Sequence, residues 1–227
     1  MSDEEEYREY LLSRHASNKT NYYLASLKEL EQIRRTYDHK PRLLLHVCCG
    51  VCAAWPLEFL HEHFDITILY SNSNIWPEQE YTRRRDELKR LLQEAWQTEI
   101  AFVELPYDHE TYMKELEPRK DDPEGWKRCF HCYAMRIEDA YRYAQEHGYD
   151  YVTTVMTISR QKDSQKLNEI GLALQEKYPG IKYFCSDFKK KGGQQRRDEL
   201  VKLYNLYSQD YCGCEYSQRS RNTEQNT

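Results

Sequence analysis

The sequence predicts an α/β protein: a Rossmann-like three-layer domain with a mostly parallel sheet, preceded by an N-terminal helical extension. Three observations carry that reading. Short apolar runs of strand length alternate with longer segments of helical period. The opening run, Leu43-Leu44-Leu45-His46-Val47, is apolar enough for a buried strand. No internal repeat and no long linker interrupts the chain, so one domain is expected. Alternating strands and helices with right-handed crossovers place helices on both faces of a parallel sheet.

The elements follow in order. Residues 1–40 form the helical extension, with Tyr22, Leu24, Leu27, Leu30 and Ile33 among the apolar residues of a helix. Lys40-Pro41 ends it, because the residue before proline is pushed out of the α region. The first strand is Arg42–Val47, and a helix carrying Trp55, Leu57, Phe59 and Leu60 begins after Cys52. The strand Asp65–Tyr70 leads into the polar loop Ser71–Pro77 and a long helix over Glu78–Thr98. Ile100–Leu105 is a third strand, Tyr107–Glu117 a short helix, and Cys132–His147 a longer one. Tyr151–Met156 is the fourth strand and Gln165–Lys177 a helix, followed by Pro179-Gly180 and the strand Ile181–Cys185. A basic loop, Lys189-Lys190-Lys191-Gly192-Gly193, precedes a helix at Arg197–Tyr207. The polar residues 218–227 are expected to be a disordered tail, leaving 41–217 as the functional domain.

Composition narrows the function classes. The 227 residues are 31% charged with net charge −5, and mean hydropathy is −0.97. Bulk charge therefore does not mark a nucleic-acid binder, and local basic runs must argue that case. No 18-residue apolar segment exists, so no membrane span is expected. The acidic start Met1-Ser2-Asp3-Glu4-Glu5-Glu6 is unlike a signal peptide, so the expected location is cytoplasmic. Eight cysteines in that compartment argue against a disulfide framework.

Seven cysteines fall in three groups: Cys48, Cys49 and Cys52; Cys129 and Cys132; Cys212 and Cys214. Such grouping reads as metal binding or redox chemistry. Cys185 stands apart and reads as a small buried hydrophobe. Cys48 and Cys49 would point to opposite faces within a strand, so they converge only where the strand ends and turns, which Gly50 permits. Cys129 and Cys132 share a face if they lie on a helical turn. Two such pairs from separate loops would supply four thiolates, a donor set for zinc or an iron–sulfur cluster. The adjacent cysteines fit a zinc knuckle poorly, and the thiols exceed what four-coordinate zinc needs. In Cys212-Gly213-Cys214 the glycine lets the backbone bend so that the sulfurs meet. That pair can relay two electrons as dithiol and disulfide, or join Cys52 in holding a second metal.

At this point the residues resemble a known family, the epoxyqueuosine reductases of the QueH type. The resemblance runs from about Pro41 to Ser217. It rests on Leu43–Cys49, Asn72–Pro77 with Glu80-Tyr81, and Pro123–Arg136, which includes Cys129-Phe130-His131-Cys132. Further matches are Thr153-Thr154 with Ile158-Ser159, Lys166–Gly171, Asp187–Lys191 and Tyr211–Cys214. Two departures stand out. Arg160-Gln161-Lys162 follows Ser159 where the family usually has Pro-His-Lys, and Gly50-Val51 stands before Cys52 where Ala-Pro is frequent.

The resemblance implies an iron–sulfur reductase that converts epoxyqueuosine at the tRNA wobble position to queuosine, the last step of queuosine synthesis. It implies that Cys48, Cys49, Cys129 and Cys132 ligate a 4Fe–4S cluster, and that Cys212 and Cys214 are a redox-active disulfide or ligands of a second, mononuclear iron. Cys52 joins that terminal pair as a candidate catalytic residue. The expected partners are tRNA carrying epoxyqueuosine and an unidentified electron donor. Candidate proton donors are His46, His131 and Tyr211. Candidate substrate-binding residues are Asn72 and Asn74 and the basic loop Lys189, Lys190 and Lys191. Arg83–Arg85, Lys89-Arg90 and Arg196-Arg197 are further basic runs, the first diluted by Glu78, Glu80, Asp86 and Glu87. Two competing classes are an ATP-dependent tRNA thiolase, which lacks its Gly-rich phosphate loop here, and a zinc-binding RNA module.

Overall fold

The structure is a computed structural model that describes residues 2–13, 19–97, 99–209 and 211–218. Among these, five parallel strands form one sheet: β1 (Arg42–His46), β2 (Asp65–Tyr70), β3 (Ala101–Glu104), β4 (Tyr151–Thr154) and β5 (Lys182–Tyr183), in the order β3-β2-β1-β4-β5. The sheet is thus wholly parallel. β1 alternates its leucines between two cores. Leu43 and Leu45 face α2 (Tyr22–Thr36), α3 (Gly50–Leu60), α4 (Glu78–Trp96) and α8 (Gly193–Leu203). Leu44 faces α6 (Lys127–His147) and α7 (Ser164–Gln175). Burial on both sides explains why the strand reads as an unbroken apolar run, and the three layers match the expected Rossmann-like architecture.

The extension consists of α1 (Asp3–Ser13) and α2. Leu30 and Ile33 of α2 enter the first core, and Glu29 takes a hydrogen bond from Tyr151 at 2.7 Å and pairs with Lys182. α1 buries no side chain. It lays Tyr7 and Tyr10 against Trp126, with ring centroids 5.1 and 4.7 Å apart, while Asp3 and Glu6 pair with Lys127. No helix among the described residues is long and apolar enough to cross a membrane. Residues 219–227 of the expected tail lie outside the described residues, as does Thr98 at the expected end of the long helix.

Several boundaries differ from expectation, for local reasons. The fourth strand stops at Thr154, because its side chain accepts from the Met156 amide at 3.1 Å and turns Val155–Ile158 into a 3₁₀ helix. α6 starts at Lys127 rather than Cys132. The residue before it, Trp126, offers no side-chain cap, and Asp122 instead accepts from the Arg128 amide at 2.9 Å. α8 starts four residues earlier than expected, after Gly192 in the left-handed region (φ +85°). α5 (His109–Leu116) lies between β3 and α6, and a last helical turn covers residues 215–218.

Candidate active site

Strand order 3-2-1-4-5 places a topological switch between β1 and β4, where successive crossovers leave in opposite directions and open a crevice beyond the strands' carboxyl ends. The cysteine groups gather there. β1 ends at His46, and Cys49 is extended (φ −171°) as the residue capping α3, with Cys52 on the first turn. The Cys48 and Cys49 sulfurs lie 3.8 Å apart, and the sulfurs of Cys48, Cys49 and Cys52 all lie within 4.8 Å of one another. The expected turn after the strand therefore forms. Gly50 does not make it: it sits in the helix, and a Cβ there would meet Glu87 only at an ordinary 3.7 Å.

Cys129 and Cys132 stand one turn apart at the start of α6. The Gly125 amide donates to Cys129 Sγ and the Tyr112 hydroxyl to Cys132 Sγ, each at 3.2 Å. The third group depends on its glycine. Gly213 has φ +98°, and a Cβ would fall 2.6 Å from Nη1 of Arg84. Arg84 Nη1 donates to the Cys212 carbonyl at 3.1 Å, and the Trp76 amide to the Gly213 carbonyl at 2.8 Å. Cys212 and Cys214 are not bridged, and Cys214 donates to the Cys212 sulfur. Cys214 packs with Cys132, Tyr112, Leu116 and Tyr216, while Cys212 lies within electrostatic reach of Cys129 and Cys132. Cys212 also lines a cavity of about 180 Å³ with Cys48 and Cys52. The three groups thus share one end of the sheet. Among the described residues, the tight set of candidate metal ligands is Cys48, Cys49 and Cys52.

Three cations face these sulfurs. Arg136 is 2% exposed, and its Nη2 and Nε donate to neutral acceptors, Asn72 Oδ1 at 2.7 Å and His46 Nε2 at 3.3 Å. A buried guanidinium stays charged and needs an anion. The sulfurs of Cys132, Cys48 and Cys212 are the candidates in reach. Arg84, equally buried, pairs with Glu80 at 2.6 Å, and its Nη2 has no hydrogen-bond partner among the described residues. Lys162 lines the cavity itself. Cys48 is held well below the usual thiol range by hydrogen bonds from Cys49 and Cys52, then by Arg136 and Lys162, against the effect of burial. Cys49, which donates to Cys48, is pushed up to about 11. Cys212 is likewise lowered, first by the Cys214 hydrogen bond and then by Lys162, Arg136 and Arg84, while Cys214 is raised. Burial raises Cys129 to about 12. This pattern of closely set sulfurs and buried counter-cations fits an anionic, thiolate-held metal group.

The remaining candidates sort by burial. His46 is fully buried; its Nε2 faces Arg136 Nε at 3.3 Å and the Ser71 carbonyl at 3.2 Å, and its Nδ1 pairs with the Thr154 hydroxyl at 2.9 Å. Burial, then Arg136, depresses its pKa to about 3, so it is neutral at pH 7 and supplies no imidazolium. Asn72 is held inside by the Val47 carbonyl (2.8 Å) and Arg136. Asn74 is buried with its Oδ1 unpartnered among the described residues. Lys189 turns inward to the Thr157 carbonyl at 2.9 Å and faces Asp187 at 3.4 Å, while Lys190 and Lys191 are exposed. The first two basic runs are largely neutralised: Arg85 pairs with Glu104, Arg90 with Glu87 and Glu94. Cys185 is half-buried against the second core, and burial raises it to about 11. Sequence reasoning missed the three cations. Arg136 had a readable signal, because residues 129, 132 and 136 follow one helix face.

Fold and site together define a Rossmann-like α/β protein built around a cysteine-lined centre. A family model described as epoxyqueuosine reductase QueH matches residues 43–220. The epoxyqueuosine reductase QueH of Staphylococcus epidermidis is 35% identical over 212 residues, covering 91% of this chain and 88% of its own. Those of Streptococcus pyogenes (34%; 92% and 83%) and Thermotoga maritima (31%; 77% and 89%) are similar too. The chain belongs to the QueH family of epoxyqueuosine reductases.

Proposed function

We propose that this protein reduces epoxyqueuosine to queuosine at the wobble position of tRNA, with Cys212 and Cys214 as its dithiol. The observation that carries the reading is the meeting of Cys212 with Cys48 and Cys52 around one small cavity at the switch point, under the charge of Lys162 and Arg84. The reaction needs two electrons and two protons: the epoxide oxygen leaves as water and an alkene remains. Oxidation of a thiolate and a thiol to a disulfide supplies the electron pair and one proton, and solvent supplies the second proton. Cys212, held as a thiolate, is the electron-rich sulfur, and Cys214, held as a thiol, keeps a proton beside it. Gly213 allows both sulfurs to face one another. Cys48, Cys49, Cys129 and Cys132 would hold a 4Fe–4S cluster, which supplies single electrons when bound. Arg136 supports that set, because Cys48 and Cys132 both lie within its electrostatic reach, and ligands of a multi-iron cluster need not touch as those of one ion must. Exposed Lys190 and Lys191 are the proposed phosphate contacts.

Anaerobic turnover of tRNA carrying epoxyqueuosine tests the reading. Cys212→Ser is expected to abolish conversion while the visible iron–sulfur absorbance stays; full activity would eliminate the dithiol relay. A second reading, in which Cys52, Cys212 and Cys214 hold a mononuclear iron, is favoured by Cys52 and Cys212 lining the same cavity. It predicts that Cys52→Ser or Cys212→Ser removes one iron per chain, whereas the dithiol reading predicts unchanged iron and an alkylation-protected Cys212–Cys214 disulfide after single turnover.

A further inference from the structure

Cations are abundant around the thiol-lined cavity, but their engagements differ. Arg84 is tied to Glu80. Arg160 reaches Asp198 at 3.2 Å and Gln194 at 2.9 Å, and Arg197 also pairs with Asp198. Lys162 is half-buried on the segment that follows β4, its side chain lines the cavity, and it forms no ion pair or side-chain hydrogen bond among the described residues. Its nearest titratable neighbours are the sulfurs of Cys212, Cys48 and Cys52, then Arg136. The cavity's 180 Å³ is room for about six waters at ~30 Å³ each. That suits an epoxide-bearing ring, not a whole nucleotide.

Resting on the proposed reduction, we propose that Lys162 is a catalytic residue: its ammonium meets the epoxide oxygen and stabilises the negative charge that develops there as the C–O bonds break. The electron pair comes from the Cys212 thiolate and the Cys214 thiol, whose S–H bond is lost as an S–S bond forms. The Cys214 proton and one proton from solvent leave with the oxygen as water, and the two ring carbons become an alkene. Lys162 stays charged throughout and neither gains nor loses a proton in the balance. A cation lining a small, partly buried cavity acts more strongly on such charge than it would in bulk solvent.

The test is single turnover by pre-reduced holoenzyme, with the dissociation constant for the same tRNA measured in parallel. Lys162→Met keeps the length and removes the charge; Lys162→Arg keeps the charge. The Met variant is expected to lose about 10²–10³-fold in the single-turnover rate with tRNA affinity unchanged, and the Arg variant to recover part of that loss. A Met variant as fast as wild type, or a defect confined to tRNA affinity, overturns the assignment while the reductase reading stands. An equally dead Arg variant with intact tRNA binding and iron content also overturns it, since charge would then not be what matters. Wild-type protein that leaves epoxyqueuosine untouched sinks both readings together.

Discussion

His46 is a histidine that cannot behave as one at neutral pH. Its ring is buried at the tip of β1, and protonation would set a second cation beside Arg136. Its ordinary value of 6.5 drops to about 3. Between those values the unfolded chain binds a proton that the folded protein refuses. This contribution to stability is therefore full above pH 6.5 and lost as pH falls towards 3, with a slope of up to about 1.4 kcal/mol per pH unit. Chemical denaturation of wild type and His46→Gln between pH 7 and 5 checks this: the wild-type stability should fall more steeply, and parallel curves would refute it. The same residue shows what a sequence cannot tell. His46 stands beside the cysteines in the chain and reads as a proton donor, yet burial, and then a neighbour 90 positions away, remove that role. Lys189 is similar: one of three consecutive lysines, it alone turns inward, because the Thr157 carbonyl and Asp187 are there to receive it.

At the scale of elements, α6 and α7 show where local signals work and fail. The apolar period of α6 is legible, but its start is not, because Asp122 caps it from outside the usual position. That displacement decides whether Cys129 lies on a loop or on the helix with Cys132. α7 lies close on the sheet at Gly171, where a Cβ would fall 2.2–2.5 Å from the Tyr183 ring of β5. Alanine is the better helix former by about 1 kcal/mol, yet overpacking should win. Gly171→Ala is expected to lower stability by about 1–3 kcal/mol, read as a lower urea midpoint with an unchanged slope. A midpoint at or above wild type would show that Tyr183 moves aside freely.

For the whole molecule, net charge −5 means that tRNA must be met locally. Reversing both exposed lysines, Lys190→Glu with Lys191→Glu, is expected to raise the Michaelis constant for tRNA and to flatten the salt dependence of binding by roughly 1.5 log units per decade of salt. An unchanged constant would remove this loop from the interface, and an unchanged thermal midpoint confirms that only binding was altered. The sequence by itself determined the class of fold and the chemistry available. Strand and helix periods differ, and a strand buried on both faces has no choice but to be apolar, so β1, β2 and β4 were legible one at a time. Seven clustered cysteines likewise announce thiol chemistry wherever they lie. The strand order, and with it the switch point that gathers the three cysteine groups, was decided only in three dimensions. So were the neighbours of each sulfur: Arg84, Arg136 and Lys162 arrive from different elements, and electrostatic energy depends on distance through space, which spacing along the chain does not encode.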